Sequence, residues 1–239
     1  MFRTIVLIPT YNERDNVRTL IPALLRDLPG VHVCVIDDSS PDGTAEVAHE
    51  LALSANGRLQ VVVRKHKEGL GRAYADTLRS DVVADFDAII MMDADWSHDY
   101  YEIPKFLSLL ENCDIVVGSR YVVGGRVENW VWRRRLLSWG GNTYARLILG
   151  IPVRDCTAGF TCLRRSVVEA FDPRMMSARG YGFTIQFKYT AFKKGFRIIE
   201  SPIVFSERRE GASKMSFNII TEALFLPWKL RFDRSLKAR

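Results

Sequence analysis

The first half of the chain alternates short apolar segments with segments of helical periodicity, and few folds accept that alternation. Apolar runs predict strands at residues 4–8, 31–36, 59–63 and 88–92. Apolar side chains three and four positions apart predict helices at residues 16–28, 45–53 and 72–83. Strands and helices in this order form βαβ units, so the sequence predicts an α/β fold with a mixed, mostly parallel sheet flanked by helices.

The second half of the chain is less regular. It predicts helices at residues 103–110, 133–149 and 184–193, a strand at 115–118, and extended segments at 197–200 and 203–206. An amphipathic helix is expected at residues 217–232, where Pro227 should kink or end it. No linker divides the chain, so we expect one domain at residues 1–215 followed by a basic amphipathic segment at residues 216–239.

Composition and charge restrict the possible partners and surroundings. The formal net charge of +6 fits an anionic partner but does not distinguish nucleic acid, lipid headgroups and phosphorylated substrates. The four cysteines lack Cys-X-X-Cys spacing, which predicts free thiols in a reducing, cytoplasmic setting. We expect no signal peptide, because a strand-like segment begins at residue 4, and no transmembrane helix, because no apolar run approaches about 18 residues.

The tripeptide Asp93-Ala94-Asp95 follows the predicted strand at residues 88–92. Alternate residues of a strand share a face, so both carboxylates should leave the edge of the sheet together. Two neighbouring carboxylates repel each other, and a hard divalent cation that also binds phosphate oxygens would offset that repulsion. The pattern therefore indicates a metal–diphosphate site, with a solvated acidic turn as the alternative.

Two other acidic segments also follow predicted strands: Glu13 comes after the first strand, and Asp37 and Asp38 come after the second. Ligands of open α/β sheets bind at the carboxyl ends of the strands, so the three acidic segments should converge on one edge. Pro9 and Tyr11 would flank a nucleobase there, while Glu13 or Asp38 accepts hydrogen bonds from base or ribose. Capped strand-to-helix turns are the alternative interpretation.

Gly69 and Gly71 precede the predicted helix at residues 72–83. Glycines in such a position permit close approach of the backbone, and the N-terminus of a helix favours phosphate. A plain loop remains the alternative.

Three motifs, in their order and spacing, resemble the GT-A glycosyltransferases of family 2, which use sugar nucleotides as donors. They are Pro9-Thr10-Tyr11-Asn12-Glu13, Asp37-Asp38-Ser39-Ser40-Pro41-Asp42-Gly43-Thr44 and Asp93-Ala94-Asp95. Later motifs look like those of the polyprenol-phosphate (dolichol-phosphate) mannose synthases: Gly118-Ser119-Arg120-Tyr121 with Gly124-Gly125, Asp155-Cys156-Thr157-Ala158-Gly159-Phe160, and Arg208 with Gly211-Ala212-Ser213-Lys214-Met215. The resemblance covers essentially the whole chain. It implies a GT-A (Rossmann-like) fold and metal-dependent, inverting transfer of mannose from GDP-mannose to a polyprenyl or dolichyl monophosphate.

The resemblance also implies roles for single residues. Asp95 is expected to bind Mg²⁺ or Mn²⁺ at the diphosphate, Asp93 to contact ribose or a metal-bound water, and Ser97 to stand near the metal where some relatives carry glutamine. The residues expected to contact the nucleotide sugar are Pro9, Tyr11, Glu13, Asp37, Asp38, Gly69, Gly71, Asp93, Ala94, Asp95, Arg120 and Arg208. The catalytic set is Asp95, Arg120, Arg208 and Lys214, and the acceptor phosphate is assigned to Arg120, Arg133 and Lys214. Solvated surface charges are the alternative for these cations.

An acceptor that is itself a phosphate agrees with the residue types in these motifs. A hydroxyl nucleophile normally needs a positioned base, whereas a phosphate monoester is already anionic at neutral pH. It needs charge compensation instead, which arginine, lysine and a metal ion supply. Direct displacement by the phosphate would invert the anomeric carbon.

Because the implied acceptor is a lipid, we expect the protein to contact the cytoplasmic face of a membrane peripherally. Three tryptophans at 130, 132 and 139 surround Arg133–Arg135, and the segment 217–232 adds a basic amphipathic face. A membrane-spanning partner subunit is also expected from the lipid acceptor.

The alternative functions differ in the sugar or in catalysis. Transfer of glucose or another hexose from a UDP- or GDP-sugar is the nearest alternative, and a non-catalytic nucleotide-sugar-binding subunit is another. A nucleic-acid-binding module is disfavoured, because acids rather than bases follow the strands.

Overall fold

The computed structural model describes residues 2–170, 181–206 and 217–233. Its strands are β1 (Thr4–Thr10), β2 (Val31–Asp37), β3 (Leu59–Val63), β4 (Ala88–Met91), β5 (Ile115–Ser119), β6 (Arg126–Val127), β7 (Thr161–Arg164), β8 (Ile198–Pro202) and β9 (Val204–Phe205). Its α-helices are α1 (Arg14–Asp27), α2 (Thr44–Leu53), α3 (Leu70–Leu78), α4 (Ile103–Leu110), α5 (Trp132–Leu149), α6 (Arg165–Ala170), α7 (Tyr181–Lys193) and α8 (Phe217–Phe232). Short 3-10 turns occur at Asp81–Val83 and Tyr100–Glu102.

Seven strands form the main sheet in the order β3-β2-β1-β4-β7-β5-β8, and β6 pairs with β9 in a separate small sheet. β1 is parallel to both of its neighbours, with Val6 opposite Val33 of β2 and Ile90 of β4. β7 is antiparallel to β4 on one side and to β5 on the other. β5 therefore runs in the same direction as β4, and β8 is parallel to β5. The predicted α/β fold with a mixed, mostly parallel sheet is confirmed.

Helices cover both faces of the main sheet, as the near-continuous apolar character of its strands requires. Val6 and Ile8 of β1 contribute to the core beneath α1, α2 and α4. Ile5 and Leu7 point to the opposite face and contribute to the core beneath α3, α6 and α7. All four side chains are fully buried, and burying each stabilises the fold by about 1.5–3 kcal/mol.

A third apolar cluster joins α8 to the rest of the described chain. Leu226 and Leu230 of α8 pack with Ala145 and Leu149 of α5 and with Ile185 of α7. Residues 217–233 thus lie against the main domain, while the predicted domain boundary at residue 215 stays a prediction.

The structure differs from the sequence-based expectations in four places. β7 and the short strand β6 were not predicted, and neither was α6. Pro227 was expected to kink or end the last helix, and it does not end it, because α8 continues to Phe232. Pro227 lacks a backbone N–H, yet Leu226 and Leu230 on either side of it remain in the apolar cluster with α5 and α7.

Candidate active site

The candidate site lies at the edge of the main sheet where β1, β2, β4, β5 and β8 end, which we call the carboxyl edge. Because β7 is antiparallel, it begins at this edge instead of ending there. The segment 155–160, here called the β7 loop, therefore arrives where the acidic segments leave the sheet. Its proximity is seen in the hydrogen bond from Gly118 N of β5 to the carbonyl oxygen of Phe160, at 2.9 Å.

The turns after β1 and β2 are hydrogen-bonded to each other. The backbone N–H of Asn12 donates to Ser40 Oγ at 2.9 Å, and that of Glu13 donates to Thr44 Oγ1 at 3.1 Å. Asn12 has φ of +59°, a left-handed conformation that asparagine tolerates better than most residues. These contacts agree with the interpretation of Asn12 as a turn residue.

Tyr11 is the exposed aromatic side chain of this region, at 37% relative exposure. The ammonium of Lys67, in the loop between β3 and α3, lies 3.3 Å from the centre of the Tyr11 ring. Lys67 is thus a residue at the predicted nucleobase position that sequence reasoning missed. Contact of Pro9, Tyr11 and Glu13 with a nucleotide stays a prediction.

Asp37 and Asp38 have different surroundings. Asp37 is fully buried, and its carboxylate accepts hydrogen bonds from Thr10 Oγ1 at 3.0 Å, Ser40 Oγ at 2.6 Å and Ser40 N at 2.8 Å. Asp38 forms an ion pair with Arg64. Asp37 therefore fixes the turn. Asp38 is paired instead with Arg64, which lies in the same loop as Lys67.

Neither aspartate provides the cap of α2. Gly43 occupies the N-cap position without a side-chain cap hydrogen bond, and just before it Asp42 Oδ1 accepts from Thr44 N at 3.0 Å and from Thr44 Oγ1 at 2.6 Å. Helix capping, the alternative interpretation offered by the sequence, therefore does not account for Asp37 or Asp38.

Gly69 precedes α3 with φ of +94°, a backbone conformation that side chains rarely permit. Gly71 lies buried in the first turn of α3. The backbone conformation accounts for glycine at position 69. Contact of either glycine with a phosphate stays a prediction.

Asp93, Ala94 and Asp95 leave β4 and fold into a tight turn. Asp95 is buried, and its Oδ1 accepts hydrogen bonds from the hydroxyl of Ser97 at 2.5 Å and from Ser97 N at 3.1 Å. The N–H of Asp93 donates to Nδ1 of His98 at 3.1 Å. His98 is buried and stacks on Phe160 with ring centres 5.0 Å apart.

These residues fit a divalent metal ion shared with a diphosphate. Among residues 2–170, 181–206 and 217–233, no three His, Cys, Asp or Glu side chains gather into a metal cluster. Magnesium and manganese are commonly held by one or two carboxylates, with substrate phosphates and water completing the shell. Asp93 and Asp95 carry carboxylate oxygens of this kind, and their contact with a metal stays a prediction. Ser97 orients Asp95 through its hydroxyl, and its own contact with a metal stays a prediction.

Arg120 follows β5 and is buried in an ion pair with Asp155 of the β7 loop. Nε and Nη2 of Arg120 donate to Oδ2 and Oδ1 of Asp155, each at 2.7 Å, and Nη2 also donates to Thr157 Oγ1 at 2.8 Å. Burial alone would raise the pKa of Asp155, but Arg120 holds it below its usual value. A solvated surface charge is therefore excluded for Arg120, and its guanidinium also lies 5.8 Å from the centre of the Trp130 ring.

A groove of about 380 Å³ opens beside Arg120. Its lining residues are Arg120, Tyr121, Arg126, Val127, Arg135, Leu136 and Trp139, and we call it the α5 groove. Arg133, the arginine assigned to the acceptor phosphate from the sequence, does not line the groove and instead lies 5.5 Å from the ring centre of Trp132. Residues two apart on a helix face different directions, so the phase of α5 separates Arg133 from Arg135.

The groove brings together residues that the sequence scatters. Arg126 and Arg135 were missed as site residues, and helical periodicity within residues 133–139 was the signal that could have found Arg135. Arg208 and Lys214, the other predicted cations, lie outside the described residues.

Residues 5–171 match the family model of glycosyl transferase family 2. The chain belongs to this family. A family 2 chain is a glycosyltransferase, and the resemblance inferred from the motifs is confirmed. Among its relatives is the polyprenol monophosphomannose synthase of Mycolicibacterium smegmatis, 43% identical over 96% of this chain and 88% of the relative. The undecaprenyl-phosphate mannosyltransferase of Micrococcus luteus is 38% identical over 93% of this chain and 91% of the relative.

A solved structure shares the fold of this family 2 chain. The mannosyltransferase of Pyrobaculum calidifontis, in complex with GDP-Man and Mn²⁺, matches with a TM-score of 0.61 and 18% sequence identity, over 100% of this chain and 66% of its own. The expected GT-A fold is confirmed. Within the described ranges, no helix is long and apolar enough to cross a membrane.

Proposed function

We propose that this chain transfers mannose from GDP-mannose to a polyprenyl monophosphate, with inversion at the anomeric carbon. One structural observation carries the proposal: acidic turns suited to a metal–diphosphate stand beside a groove that is both cationic and apolar. Arg120 lines that groove. Gly159, in the loop that binds Arg120, lies so close to Asp93 that a Cβ at this glycine would be 3.7 Å from Asp93 Oδ1. The names of the curated relatives support the same reaction.

The donor half of the site is assigned to the turns after β1, β2 and β4. Tyr11 would stack on the guanine, with Asp38 accepting hydrogen bonds from the nucleoside. Asp93 and Asp95 would hold Mg²⁺ or Mn²⁺. Such an ion neutralises negative charge on a departing nucleoside diphosphate. The presence of Mn²⁺ with GDP-Man in the Pyrobaculum calidifontis protein supports a divalent metal without deciding between the two ions.

The acceptor half of the site is assigned to the α5 groove. Arg126 and Arg135 offer planar donor groups that suit a phosphate monoester. Leu136 and Trp139 give the same groove an apolar wall for the first isoprene units. The acceptor phosphate attacks without a general base, because it is already ionised at neutral pH.

The exposed apolar surface of α5 and α8 supports docking on the cytoplasmic face of a membrane. Trp132 and Trp139 of α5 are more than half exposed, and Phe225 and Phe232 of α8 are each 73% exposed. Trp228 Nε1 of α8 donates to the hydroxyl of Tyr144 of α5 at 2.9 Å, which joins the two helices into one surface. Contiguous apolar surface with flanking arginines is typical of helices that rest among lipid headgroups. A membrane-spanning partner subunit stays a prediction.

Transfer to polyprenyl phosphate from a panel of radiolabelled sugar nucleotides tests the proposal. The label of GDP-mannose should enter the organic phase in the presence of Mg²⁺ or Mn²⁺, and EDTA should prevent it. Label from UDP-glucose or GDP-glucose in place of mannose would favour the hexosyltransferase alternative. Nucleotide-sugar binding without transfer of any label would favour a non-catalytic subunit.

A further inference from the structure

Helix α7 carries a lysine in its interior face, where a charge is costly. Lys188 is 1% exposed, and its neighbours Phe187 and Tyr189 are buried too. Burial lowers the pKa of Lys188 to about 8, although Asp155 opposes part of this effect. The side chain is therefore mainly an ammonium at neutral pH, and its burial must be offset by specific partners.

The partners of Lys188 are backbone carbonyls of the β7 loop. Nζ donates to the oxygen of Ala158 at 2.7 Å and to that of Cys156 at 3.1 Å. Carbonyl groups in a loop lack the regular backbone hydrogen bonds of a helix or a sheet. The two hydrogen bonds from Lys188 therefore fix the β7 loop to α7. The distance of about 30 residues along the chain makes this a tertiary contact.

The same loop contacts both halves of the candidate site. Asp155 holds Arg120, which lines the α5 groove. Gly159 lies close to the Asp93 carboxylate and to His98, and Phe160 stacks on His98. A shift of the β7 loop would therefore change the position of Arg120 on the acceptor side relative to Asp93 on the donor side.

Glu200 of β8 supports the loop from its other end. Its carboxylate accepts hydrogen bonds from Arg154 N at 2.8 Å and Asp155 N at 2.9 Å. Glu200 and Asp155 are acids, and Arg120 and Lys188 are the cations that face them. Without Lys188, the fully buried Asp155 would lose one of the two cations that lower its pKa, which favours displacement of the loop.

We propose that Lys188 is a positioning residue for sugar transfer: its ammonium holds the β7 loop so that Arg120 faces the α5 groove while Gly159 lies against Asp93. The kinetic part of this proposal rests on the proposed transferase function. Displacing reacting groups by about 1 Å can reduce turnover by up to about a hundredfold, so the effect should be in kcat. Donor affinity should change little, since Lys188 contacts none of the turns after β1, β2 and β4 among its described hydrogen bonds.

Three variants separate positioning from support of the fold. Lys188→Met has nearly the same length without the ammonium, Lys188→Gln keeps two N–H donors on a shorter side chain, and Lys194→Met removes an exposed lysine just after the same helix. The kcat and KM of each variant are measured well below its melting temperature and expressed per folded molecule. We expect kcat to fall about tenfold or more in Lys188→Met and less in Lys188→Gln, with KM for GDP-mannose within about threefold of the parent value. Lys194→Met should match the parent.

Amide hydrogen exchange gives a second measurement that needs no transfer reaction. Residues 155–160 should exchange about tenfold faster in Lys188→Met than in the parent, with β1 and β4 unchanged. Parent-like kcat in a folded Lys188 variant, a raised KM with unchanged kcat, or unchanged exchange of the loop would each overturn the proposal. If Lys188→Met does not fold, Lys188→Gln decides both measurements. If the parent protein transfers no sugar, the transferase function fails and exchange alone tests the role of Lys188.

Discussion

Arg120 and Asp155 form a buried two-point ion pair, with Nε and Nη2 each 2.7 Å from a carboxylate oxygen. The pair connects the end of β5 to the loop that begins β7. A buried guanidinium without a carboxylate partner lowers the stability of the fold. The position of Arg120 on the acceptor side therefore depends on Asp155, 35 positions further along the chain.

Replacing Asp155 should therefore lower stability as well as activity. Asp155→Asn leaves Arg120 buried beside a neutral amide, and we expect the free energy of unfolding to fall by about 3 kcal/mol in urea titration. Glu169→Ala, which breaks the exposed pair of α6 with Arg165, should change it by less than about 1 kcal/mol. Equal effects of the two substitutions would show that the Arg120–Asp155 pair adds no stability.

Asp95→Asn should remove transfer and metal-dependent binding of GDP while the protein stays folded. The amide keeps the shape of the side chain and one oxygen, but it loses the charge that attracts a divalent ion. Turnover should fall by about a hundredfold or more. Isothermal titration with GDP in the presence and absence of Mn²⁺ gives the second readout, and Asp81→Asn, an exposed carboxylate before β4, is the control. Unchanged Mn²⁺-dependent affinity would refute the metal assignment.

Substitutions in α5 distinguish the acceptor arginine seen in the groove from the one expected from the sequence. Arg135→Ala should raise KM for polyprenyl phosphate about tenfold, because it removes a charged donor from the α5 groove. Arg133→Ala should raise it less, and neither should change KM for GDP-mannose. A larger increase of KM for polyprenyl phosphate in Arg133→Ala than in Arg135→Ala would show that Arg133 binds the acceptor phosphate.

Charges placed on α8 should weaken membrane binding. Phe225→Glu with Phe232→Glu puts two acids on the exposed surface of this helix, and flotation with anionic vesicles should recover several-fold less protein. Leu53→Glu alters an exposed leucine at the end of α2, away from that surface, and should float like the parent protein. If the double variant floats as well as the parent, α8 is not the docking surface.

The parts of the fold that local chemistry determines could be predicted from the sequence. The helix at residues 103–110 was predicted with its observed bounds, and the carboxyl edge followed from acids placed after β1, β2 and β4. Apolar periodicity and the residues that end each element carry that information within a short stretch of chain.

The missed parts depend on contacts between distant segments. Thr161–Arg164 is four residues long and becomes a central strand because β4 and β5 both pair with it. Lys188 is followed closely by Lys193 and Lys194 and gave no local sign of burial. Arg126 and Arg135 share a groove only through the docking of β6 beside α5, which no periodicity of either segment encodes.

The antiparallel direction of β7 has a consequence for how the length of this chain can vary. Five residues separate Asp155 from the first residue of β7, with Asp155 bound to Arg120 at one end and Thr161 paired with Met91 at the other. One inserted residue would either detach Asp155 or slip β7 by one position, and a one-residue slip exchanges the two faces of a strand. Cys162 and Leu163 lie in the cores on opposite sides of the sheet, so such a slip would disturb both cores. Insertions should be tolerated in surface turns such as that between α2 and β3, and rejected between residues 155 and 161.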